Sequence, residues 1–247
     1  MSKRIALVTG GIGGIGTEIC KALYNQGRTV VAGHLPQEQQ QAEEWKKNLA
    51  SEGFQFEIAS GDVSSFESTT EMLADITSRV GPISIVVNCA GITRDNFLKK
   101  MPQEDWQAVI NTNLNSLFNV SRQVVEPMGD SGWGRIVNIS SVNGQKGQFG
   151  QTNYSAAKAG VHGFTMALAQ EMARKKVTVN SVSPGYVETR MTAAVPEEIR
   201  EQIIAQVPMG RMAQPAEIGH AVAFLCDDDS SYLTGINLPV NGGLYMS

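Results

Sequence analysis

Short runs of β-branched and other apolar residues alternate along the chain with longer segments in which apolar positions recur every three or four residues. The short runs predict strands at 4–9, 28–33, 54–59, 83–88, 134–140, 177–183 and 235–239. The longer segments predict helices at 15–26, 38–51, 66–79, 103–127, 153–174 and 214–225. Apolar strands separated by helices are typical of a parallel sheet covered on both faces. The pattern therefore predicts an α/β protein with a doubly wound parallel sheet of about seven strands.

Glycine-rich and polar segments follow five of these strands and indicate where a ligand should bind. They occupy 10–16, 61–64, 88–95, 141–151 and 184–190. In a doubly wound sheet the carboxyl ends of the strands share one edge, and ligands bind in the crevice there. We therefore expect these segments to surround one site.

The first of these segments reads T-G-G-I-G-G-I-G and lies between a predicted strand and a predicted helix. Gly10, Gly14 and Gly16 lack side chains, so backbone N–H groups at the helix N-terminus can approach the phosphates of a dinucleotide. Taken alone, such a segment could also be a flexible turn without a ligand. Its position after the first strand of an alternating chain favours a Rossmann fold with a dinucleotide site.

Tyr154 and Lys158 are four residues apart in N-Y-S-A-A-K, and Ser141 precedes the tyrosine by thirteen residues. Positions i and i+4 share one face of a helix, so the phenol and the ammonium should lie side by side. A cation about 4 Å away stabilises a phenolate by roughly 4 kcal/mol at an effective dielectric constant of about 20, or about three pKa units before desolvation is counted. We therefore expect Tyr154 to be an acid-base group with a lowered pKa. The alternative is a tyrosine at a helix start beside a solvated lysine.

The composition suits one domain and argues against several classes of protein. With 247 residues, of which 42% are hydrophobic, residues 1–247 are expected to form a single catalytic domain. A net charge of −4 with scattered basic residues argues against nucleic-acid binding. No apolar run approaches the roughly 20 residues that cross a membrane, so we expect a cytoplasmic protein. Cys20, Cys89 and Cys226 lack metal-ligand spacing, so they are expected to be free thiols and no metal site is predicted.

Five motifs in order resemble the short-chain dehydrogenase/reductase family over nearly the whole chain. They are T-G-x-x-x-G-x-G at 9–16, N-C-A-G at 88–91, N-T-N-L at 111–114, Ser141 with Y-x-x-x-K at 154–158, and S-P-G-Y-V-E-T at 183–189. Cys89 departs from the family pattern, which has asparagine at this place in N-N-A-G. The resemblance implies an oxidoreductase that transfers hydride from a nicotinamide cofactor.

The resemblance also implies roles for individual residues. Tyr154 would donate a proton to the substrate oxygen, Ser141 would hold that oxygen, and Lys158 would lower the tyrosine pKa and hold the nicotinamide ribose. Asn113, at a distortion of its long helix, would hold a water that links Lys158 to solvent. Asp62 either contacts the adenine or caps the end of a strand. The expected cofactor-binding residues are Gly10, Gly13, Gly14, Ile15, Gly16, Gly33, Asp62, Val63, Asn88, Ala90, Gly91, Tyr154, Lys158, Pro184, Gly185, Val187 and Thr189.

The end of the second predicted strand bears on the choice of cofactor. NAD-selective members of the family carry an acidic residue there, which binds the ribose hydroxyls and repels a 2′-phosphate. Gly33 occupies that place, and no acidic residue lies between 28 and 37. The absence of an acidic residue leads us to expect NADPH. NADH stays the alternative, because Gly13 stands where many NADPH-dependent relatives have a basic residue. Arg28 and His34 are weak substitutes for it.

Residues 142–153 lie between the serine and the tyrosine and are expected to line the substrate pocket. The longer stretch 135–155, which contains these residues, is similar to that of acetoacetyl-CoA reductases, a group within the family that makes (R)-3-hydroxybutyryl-CoA for polyhydroxybutyrate. The resemblance implies acetoacetyl-CoA or a similar 3-oxoacyl thioester as substrate. Its expected contacts are Gln148, Phe149, Gln151 and Tyr186, and Phe149 alternatively anchors the loop in the core. The CoA phosphates could meet Arg94, Lys99, Lys100 and Lys146, or these residues are solvated charges.

Two other functions remain open. A 3-oxoacyl-(acyl carrier protein) reductase shares the catalytic residues, but such enzymes place basic residues at the pocket mouth to meet an acidic partner. The corresponding turn here has no Lys or Arg from 123 to 134, which favours a free CoA thioester. A non-catalytic nucleotide-sensing regulator is the alternative from another class, and the presence of all four catalytic residues disfavours it.

Two further features concern a lid and assembly. Residues 189–211 contain an amphipathic segment that is expected to form a mobile lid, with Met191 and Ile203 as candidates to close on the substrate. The helix from 153 onward is rich in alanine and glycine, which permits close approach of another helix or packing against the sheet. The family resemblance implies a homotetramer.

Overall fold

The computed structural model describes residues 4–189, 192 and 197–246. Within these residues the strands are β1 (Ile5–Thr9), β2 (Thr29–His34), β3 (Glu57–Ser60), β4 (Ile83–Asn88), β5 (Gly134–Ile139), β6 (Val177–Pro184) and β7 (Asn237–Val240). They form one sheet in the order β3-β2-β1-β4-β5-β6-β7, and all neighbouring pairs are parallel. The predicted doubly wound parallel sheet is confirmed.

The helices connect the strands and lie against both faces of this sheet. In the described part of the chain they are α1 (Gly14–Asn25), α2 (Gln39–Ser51), α3 (Phe66–Arg79), α4 (Gln103–Ile110), α5 (Ser116–Ser131), α6 (Asn143–Lys146), α7 (Thr152–Met172), α8 (Glu197–Gln206) and α9 (Pro215–Cys226). Short 3₁₀ turns occur at Pro36–Glu38, Leu98–Lys100 and Ala173–Lys175. The sequence did not predict α6 as a separate helix, and α8 lies inside the predicted lid.

Two apolar cores form because successive strand side chains point to opposite faces of the sheet. One core joins alternate residues of the strands, such as Val8 and Ala32, to α1, α2 and α9. The other joins the intervening residues, such as Leu7 and Val31, to α3, α5 and α7. Because both faces are covered, the strands are apolar throughout, and this is why their pattern could be read as a parallel sheet.

The long helix predicted at 103–127 has the distortion that was expected at Asn113. It is divided by a π-helical turn at Asn111–Asn115, and the second part continues to Ser131. The turn contains Asn113, whose side-chain amide donates hydrogen bonds to two backbone carbonyls. Polar residues in N-T-N-L-N thus reorganise the backbone locally, an arrangement that is often found at functional sites.

Several predicted strand limits also need correction. The predicted strands 54–59 and 235–239 are shorter and begin later, at Glu57 and Asn237. The second strand extends one residue beyond its predicted end, to His34, so Gly33 is not its last residue. Among the described residues, no helix is both long enough and apolar enough to cross a membrane.

Candidate active site

The turn between β1 and α1 approaches neighbouring backbone so closely that side chains do not fit. A Cβ atom on Gly16 would overlap the Gly10 carbonyl oxygen and lie 2.9 Å from Gly11 Cα. A Cβ atom on Gly10, whose φ is +63°, would lie 3.0 Å from Ala90 Cα. Gly11 was not predicted from the sequence, and a Cβ atom there would lie 2.7 Å from Ala32 Cβ. The close packing of this turn on the sheet therefore requires glycine at all three positions.

Helix α1 begins directly after this turn, and its first N–H groups have no partner within the helix. Its N-cap, Gly13, has no side chain to bond them, and the first turn of the helix contains no acidic residue. Gly14 and Ile15 begin the helix, and the Thr189 methyl group would touch a Cβ atom on Gly14 at 3.4 Å. N–H groups without a partner in the helix, together with the helix dipole, favour an anion, so this cradle fits the pyrophosphate of a dinucleotide.

The segment after β4 is fixed by a hydroxyl at the end of β1. The N–H groups of Cys89 and Ala90 donate to Thr9 Oγ1 at 3.0 and 3.1 Å. A Cβ atom on Gly91 would lie 2.6 Å from Asn113 Oδ1, so this position also requires glycine. The N-C-A-G motif therefore lies between the glycine turn and the predicted catalytic asparagine.

Three other predicted cofactor residues have structural contacts of their own. Asp62 Oδ1 accepts hydrogen bonds from the N–H group of Ser64 at 2.9 Å and from its hydroxyl at 2.7 Å. These bonds are those of a residue that caps the end of a strand, the alternative role predicted for Asp62. Asn88 Nδ2 donates to Asn138 Oδ1 at 2.8 Å, and Val63 is buried. They lie at the ends of β3 and β4, and their contact with a cofactor stays a prediction.

The segment after β6 forms the other side of the crevice. Pro184 ends β6, and Gly185 follows in a place where a Cβ atom would lie within 2.8 Å of neighbouring backbone. Val187 is buried, and Thr189 reaches the beginning of α1 at Gly14. The structure thus brings the first and the last predicted cofactor segments together, although 173 residues separate Gly16 from Thr189.

Ser141, Tyr154 and Lys158 meet where the end of β5 approaches α7. Ser141 is buried two residues beyond the last residue of β5, and its Oγ accepts a hydrogen bond from Asn143 N–H at 3.1 Å. Tyr154 and Lys158 share a face of α7, with Lys158 Nζ 5.6 Å from the centroid of the tyrosine ring. Lys158 Nζ donates to the Ile139 carbonyl at 2.7 Å, which joins α7 to the end of β5.

The predicted lowering of the Tyr154 pKa is wrong for this structure. Burial raises the pKa of Tyr154 above its ordinary value, the Ser141 hydroxyl opposes that rise by hydrogen bonding, and the charge of Asp95 adds to it. Burial also lowers the pKa of Lys158 to about 8. Desolvation disfavours the charged form of each group, and the lysine ammonium is bound to a carbonyl instead of the phenol. Tyr154 is therefore protonated at neutral pH, which is the state that a proton donor requires.

Asn113 presents an acceptor towards this pair from the π-helical turn. Its amide nitrogen donates to two backbone carbonyls at 2.9 Å each, and the side chain is fully buried. Its Oδ1 has no hydrogen-bond partner among the described residues. A Cβ atom on Gly91 would lie 2.6 Å from that oxygen and 3.6 Å from Lys158 Nζ, so the two groups face the same small space.

A chain of hydrogen bonds behind the site was missed by the sequence analysis. Ser140 Oγ donates to the Lys158 carbonyl at 2.8 Å and lies 2.8 Å from His162 Nε2. The same imidazole nitrogen lies 3.3 Å from Ser183 Oγ, which donates to Asn237 Oδ1 at 2.7 Å. Burial lowers the pKa of His162, so the ring is neutral at neutral pH. The signal was available, because His162 follows Lys158 at i+4 and shares its helix face.

Two loops that border the site are bonded to each other. Gln151 Nε2 donates to Asp95 Oδ2 at 2.8 Å, and Asn96 N–H donates to the Gly150 carbonyl at 2.9 Å. The loop after β4 therefore supports the predicted substrate loop. The sequence gave no indication of these contacts, which join residues more than 50 positions apart.

The predicted substrate residues of this loop are accessible. Phe149 is 81% exposed and meets Phe97 edge to face at 5.0 Å, so it is not a core anchor. Gln148 is half-buried, and its Oε1 accepts a hydrogen bond from Lys146 Nζ at 3.1 Å. The predicted phosphate contacts Arg94, Lys99, Lys100 and Lys146 are all exposed. An apolar surface beside cations thus borders the loop.

Tyr186 and the predicted lid lie in another cleft. Tyr186 lines it with Met209, Arg211 and Asn241, and burial raises the pKa of its phenol. Within the described residues, the lining of this cleft does not include Ser141, Tyr154 or Phe149. The contact of Tyr186 with a substrate stays a prediction.

Helix α8 lies within the predicted lid. None of its residues is buried, and it is joined to the segment after β6 by an ion pair between Arg200 and Glu188 at 3.2 Å. Ile203 is half-buried on this helix, whereas Met191 lies outside the described residues. Closure of the lid stays a prediction.

Residues 123–134 do not lie at the mouth of the pocket, where the sequence predicted them. This segment forms the end of α5 and the turn into the start of β5. It therefore lies at the amino edge of the sheet, opposite Ser141. The basic residue that follows, Arg135, is buried and donates to the Asp227 carbonyl. Within one chain, the absence of basic residues from this turn says nothing about the mouth of the pocket.

Comparison with known proteins agrees with this arrangement. The model of the short chain dehydrogenase family matches residues 4–200. The chain belongs to the short-chain dehydrogenase family. It is therefore an oxidoreductase that uses a nicotinamide dinucleotide, and the resemblance inferred from the sequence motifs is confirmed.

Individual relatives are similar over the full length. An acetoacetyl-CoA reductase of Allochromatium vinosum is 64% identical over 98% of this chain and 99% of its own. An acetoacetyl-CoA reductase of Cupriavidus necator is 52% identical over 100% of both chains. A 3-oxoacyl-[acyl-carrier-protein] reductase of Pseudomonas aeruginosa is 46% identical over 99% of this chain and 98% of its own.

Proposed function

We propose that this protein reduces the 3-keto group of acetoacetyl-CoA to (R)-3-hydroxybutyryl-CoA, for polyhydroxybutyrate synthesis. The observation that carries the proposal is the 64% and 52% identity, over essentially the whole chain, to two acetoacetyl-CoA reductases. The R configuration and the link to polyhydroxybutyrate follow from the resemblance to that group. The assembly of Ser141, Tyr154 and Lys158 in one place supports a reduction at this site.

The nicotinamide supplies the hydride that reduces the substrate carbon. The glycine turn at residues 10–16 would hold the pyrophosphate, because the first N–H groups of α1 have no partner within the helix and the helix dipole favours an anion. Lys158 would hold the nicotinamide ribose, and Pro184 with Gly185 would border the ring. The sequence predicts NADPH, and the choice between NADPH and NADH depends on the residues at the end of β2.

Tyr154 would donate the proton, and Ser141 and Lys158 would stabilise the negative charges that develop. Tyr154 is held in its protonated form by burial, so it can donate a proton as negative charge develops on the substrate oxygen. The hydroxyl of Ser141 would donate a hydrogen bond to the same oxygen, and this bond strengthens as the charge grows. Lys158 carries most of its positive charge at pH 7, because its pKa is about 8, and it favours the phenolate that remains after the proton leaves.

Asn113 would complete a path that returns the proton. Its unpaired Oδ1 faces the same space as Lys158 Nζ, and a buried acceptor without a protein partner is suited to a bound water. That water would link Lys158 to bulk solvent, so that the tyrosine is reprotonated before the next turnover.

The substrate loop suits a CoA thioester. The exposed rings of Phe149 and Phe97 offer apolar surface to the acyl-pantetheine arm, and Gln148 and Gln151 offer amide groups to its polar parts. Lys99 and the neighbouring exposed cations would meet the CoA phosphates. Tyr186 would be the fourth substrate contact.

A 3-oxoacyl-(acyl carrier protein) reductase is the second candidate, because a relative so named is 46% identical over nearly the full chain. Initial rates at 340 nm with acetoacetyl-CoA and with the acetoacetyl carrier protein distinguish the two. We expect kcat/KM to be at least about tenfold higher for the CoA thioester, a difference of about 1.4 kcal/mol in transition-state binding. A tenfold preference for the carrier-bound substrate would assign the protein to the second function.

The same assay tests the catalytic residues and the regulator alternative. Tyr154→Phe should lower kcat at least about a thousandfold, because the proton donor is lost, while nucleotide binding stays nearly unchanged. Wild-type protein that binds a nicotinamide nucleotide and reduces neither thioester would favour the non-catalytic regulator.

Assembly and location stay predictions. A homotetramer is supported by exposed apolar side chains on three helices, Phe66 on α3, Phe118 on α5 and Met166 on α7. Light scattering of the purified protein would give its mass. The single catalytic domain and the cytoplasmic location are likewise expectations from the sequence.

A further inference from the structure

Two residues at and just beyond the end of β2, His34 and Glu38, change the expectation that this place lacks an acceptor for the ribose hydroxyls of the cofactor. An acidic residue about 20 positions after the glycine turn binds the ribose hydroxyls in NAD-dependent Rossmann proteins, whereas an arginine there accommodates the 2′-phosphate of NADP. Glu38 lies at this separation from Gly16, one residue beyond the window in which no acid was found. The strand itself ends at His34, so His34 occupies the strand-end position.

Glu38 is folded back onto the strand end by a 3₁₀ turn, Pro36–Glu38. Its carboxylate accepts a hydrogen bond from Leu35 N–H at 3.0 Å, and its own N–H donates to the Leu35 carbonyl at 2.9 Å. Pro36 has no N–H group. The Leu35 N–H group, a donor that a phosphate could use, is therefore already bound to a carboxylate.

His34 adds a second acceptor. Its side chain is 3% exposed, and Nδ1 lies 2.9 Å from the Leu35 carbonyl. Since a carbonyl only accepts, Nδ1 carries the proton in this bond, and in that tautomer Nε2 is the acceptor. Among the described residues, this buried Nε2 has no hydrogen-bond partner.

Strand alternation places His34 on the side of the glycine turn. Ala32 points to the face that Gly11 covers, because a Cβ atom on Gly11 would lie 2.7 Å from Ala32 Cβ. Residues i and i+2 share a face, so His34 points to the same side, one step nearer the carboxyl edge. Gly11 N–H donates to the Gly33 carbonyl at 2.9 Å, which joins the turn to this part of β2.

Positive charge is absent from this segment. No Lys or Arg occurs from 29 to 45, and the flanking Arg28 and Lys46 are paired with Asp228 at 3.9 Å and Glu57 at 3.2 Å. A 2′-phosphate offers only acceptor oxygens and negative charge, whereas ribose hydroxyls can donate. The segment thus opposes the phosphate and matches the hydroxyls.

We propose that Glu38 and His34 form a specificity site for the unphosphorylated adenosine ribose, so that the protein prefers NADH to NADPH. This is the opposite of the preference expected from the sequence. It rests on the proposed function only in that a nicotinamide dinucleotide binds at the glycine turn, and it does not depend on which 3-oxo thioester is reduced.

Nucleotide fluorescence, titrated without substrate, tests the proposal. The dissociation constant of the wild-type protein should be at least about tenfold lower for NADH than for NADPH, or about 1.4 kcal/mol. Glu38→Gln should reduce this ratio at least fivefold, mainly by tightening NADPH. Glu44→Gln is the matched control, because Glu44 is exposed on α2 and bonded to Gln40, and the ratio should not change.

His34→Phe tests the second residue. It keeps a ring and removes the acceptor, so NADH binding should weaken while NADPH binding changes little. Equal or tighter binding of NADPH by the wild-type protein overturns the proposal, whether or not any variant folds. A ratio unchanged by Glu38→Gln overturns the role of that residue. NADH binding without reduction of acetoacetyl-CoA leaves this proposal standing and removes the substrate assignment, whereas binding of neither nucleotide removes both.

Discussion

The glycine turn and the polar pocket lie at the same edge of the sheet, yet they depend on opposite properties of side chains. At Gly10, Gly11 and Gly16 the structure requires that no side chain is present, because backbone atoms occupy the space. At Tyr154 and Lys158 it requires ionisable side chains in a buried place. Burial raises the pKa of Tyr154 and lowers the pKa of Lys158, so each side chain favours its neutral form. One region is shaped by steric fit and the other by desolvation.

This difference explains what each region can tolerate. The glycine turn should lose nucleotide binding when a Cβ atom is added at Gly10, Gly11 or Gly16, and this loss should not depend on pH. A desolvated pair keeps its shape after many substitutions, but the balance between its charged and neutral forms changes. Substitutions and pH should therefore affect the two regions differently.

The largest effect in the cradle is expected from Gly16→Ala. Its Cβ atom would overlap the Gly10 carbonyl oxygen, so the turn has to shift. We expect NADH to bind at least about a hundredfold more weakly, or about 2.7 kcal/mol, measured by nucleotide fluorescence.

Gly13→Ala is the matched control for this substitution. Gly13 is exposed with φ −76° and ψ 171°, and a Cβ atom would lie 3.3 Å from the Gly10 carbonyl oxygen, which needs only a small adjustment. Binding should change by less than about fivefold, or about 1 kcal/mol. Equal losses in both variants would show that the cradle does not depend on steric fit.

A smaller effect is expected at Lys158, where the pH dependence of stability reports desolvation. The pKa of Lys158 is about 8 in the folded protein, and that of an unfolded lysine is about 10.4. Between these values the unfolded chain binds more protons, so the free energy of unfolding rises with pH. From pH 7.5 to 9.5 this contribution should be about 2 kcal/mol.

Lys158→Met removes that contribution. Urea denaturation of both proteins at pH 7.5 and 9.5 should show the wild-type protein gaining about 2 kcal/mol relative to the variant as the pH rises. The other ionisable groups are shared, so they cancel in the comparison. The same pH dependence in both proteins would mean that Lys158 is not desolvated.

The two regions also differ in how far the sequence predicts them. Strand, glycine turn and helix are local features, and the need for Gly10, Gly14 and Gly16 could be recognised from their spacing. The i+4 spacing likewise predicted that Tyr154 and Lys158 share a helix face. Spacing does not indicate burial, however, so the direction of the Tyr154 pKa shift was predicted wrongly.

Other errors have the same origin in contacts between distant segments. Residues 123–134 were placed at the pocket mouth from the family resemblance, whereas in the fold they form the end of α5 and the turn into β5. Glu38 was overlooked because only the folded turn brings its carboxylate back to Leu35. The bond from Gln151 to Asp95 depends on two loops meeting above the sheet.

The central claim is that Tyr154 is buried in its protonated form and acts as the proton donor. An ultraviolet difference titration of the wild-type protein against Tyr154→Phe, followed at the phenolate absorbance near 295 nm, measures its pKa directly. Tyr154 should remain protonated throughout the neutral range and titrate above the ordinary tyrosine value of about 10. A phenolate that appears near pH 7 would contradict this account and restore a tyrosine acidified by its neighbouring lysine.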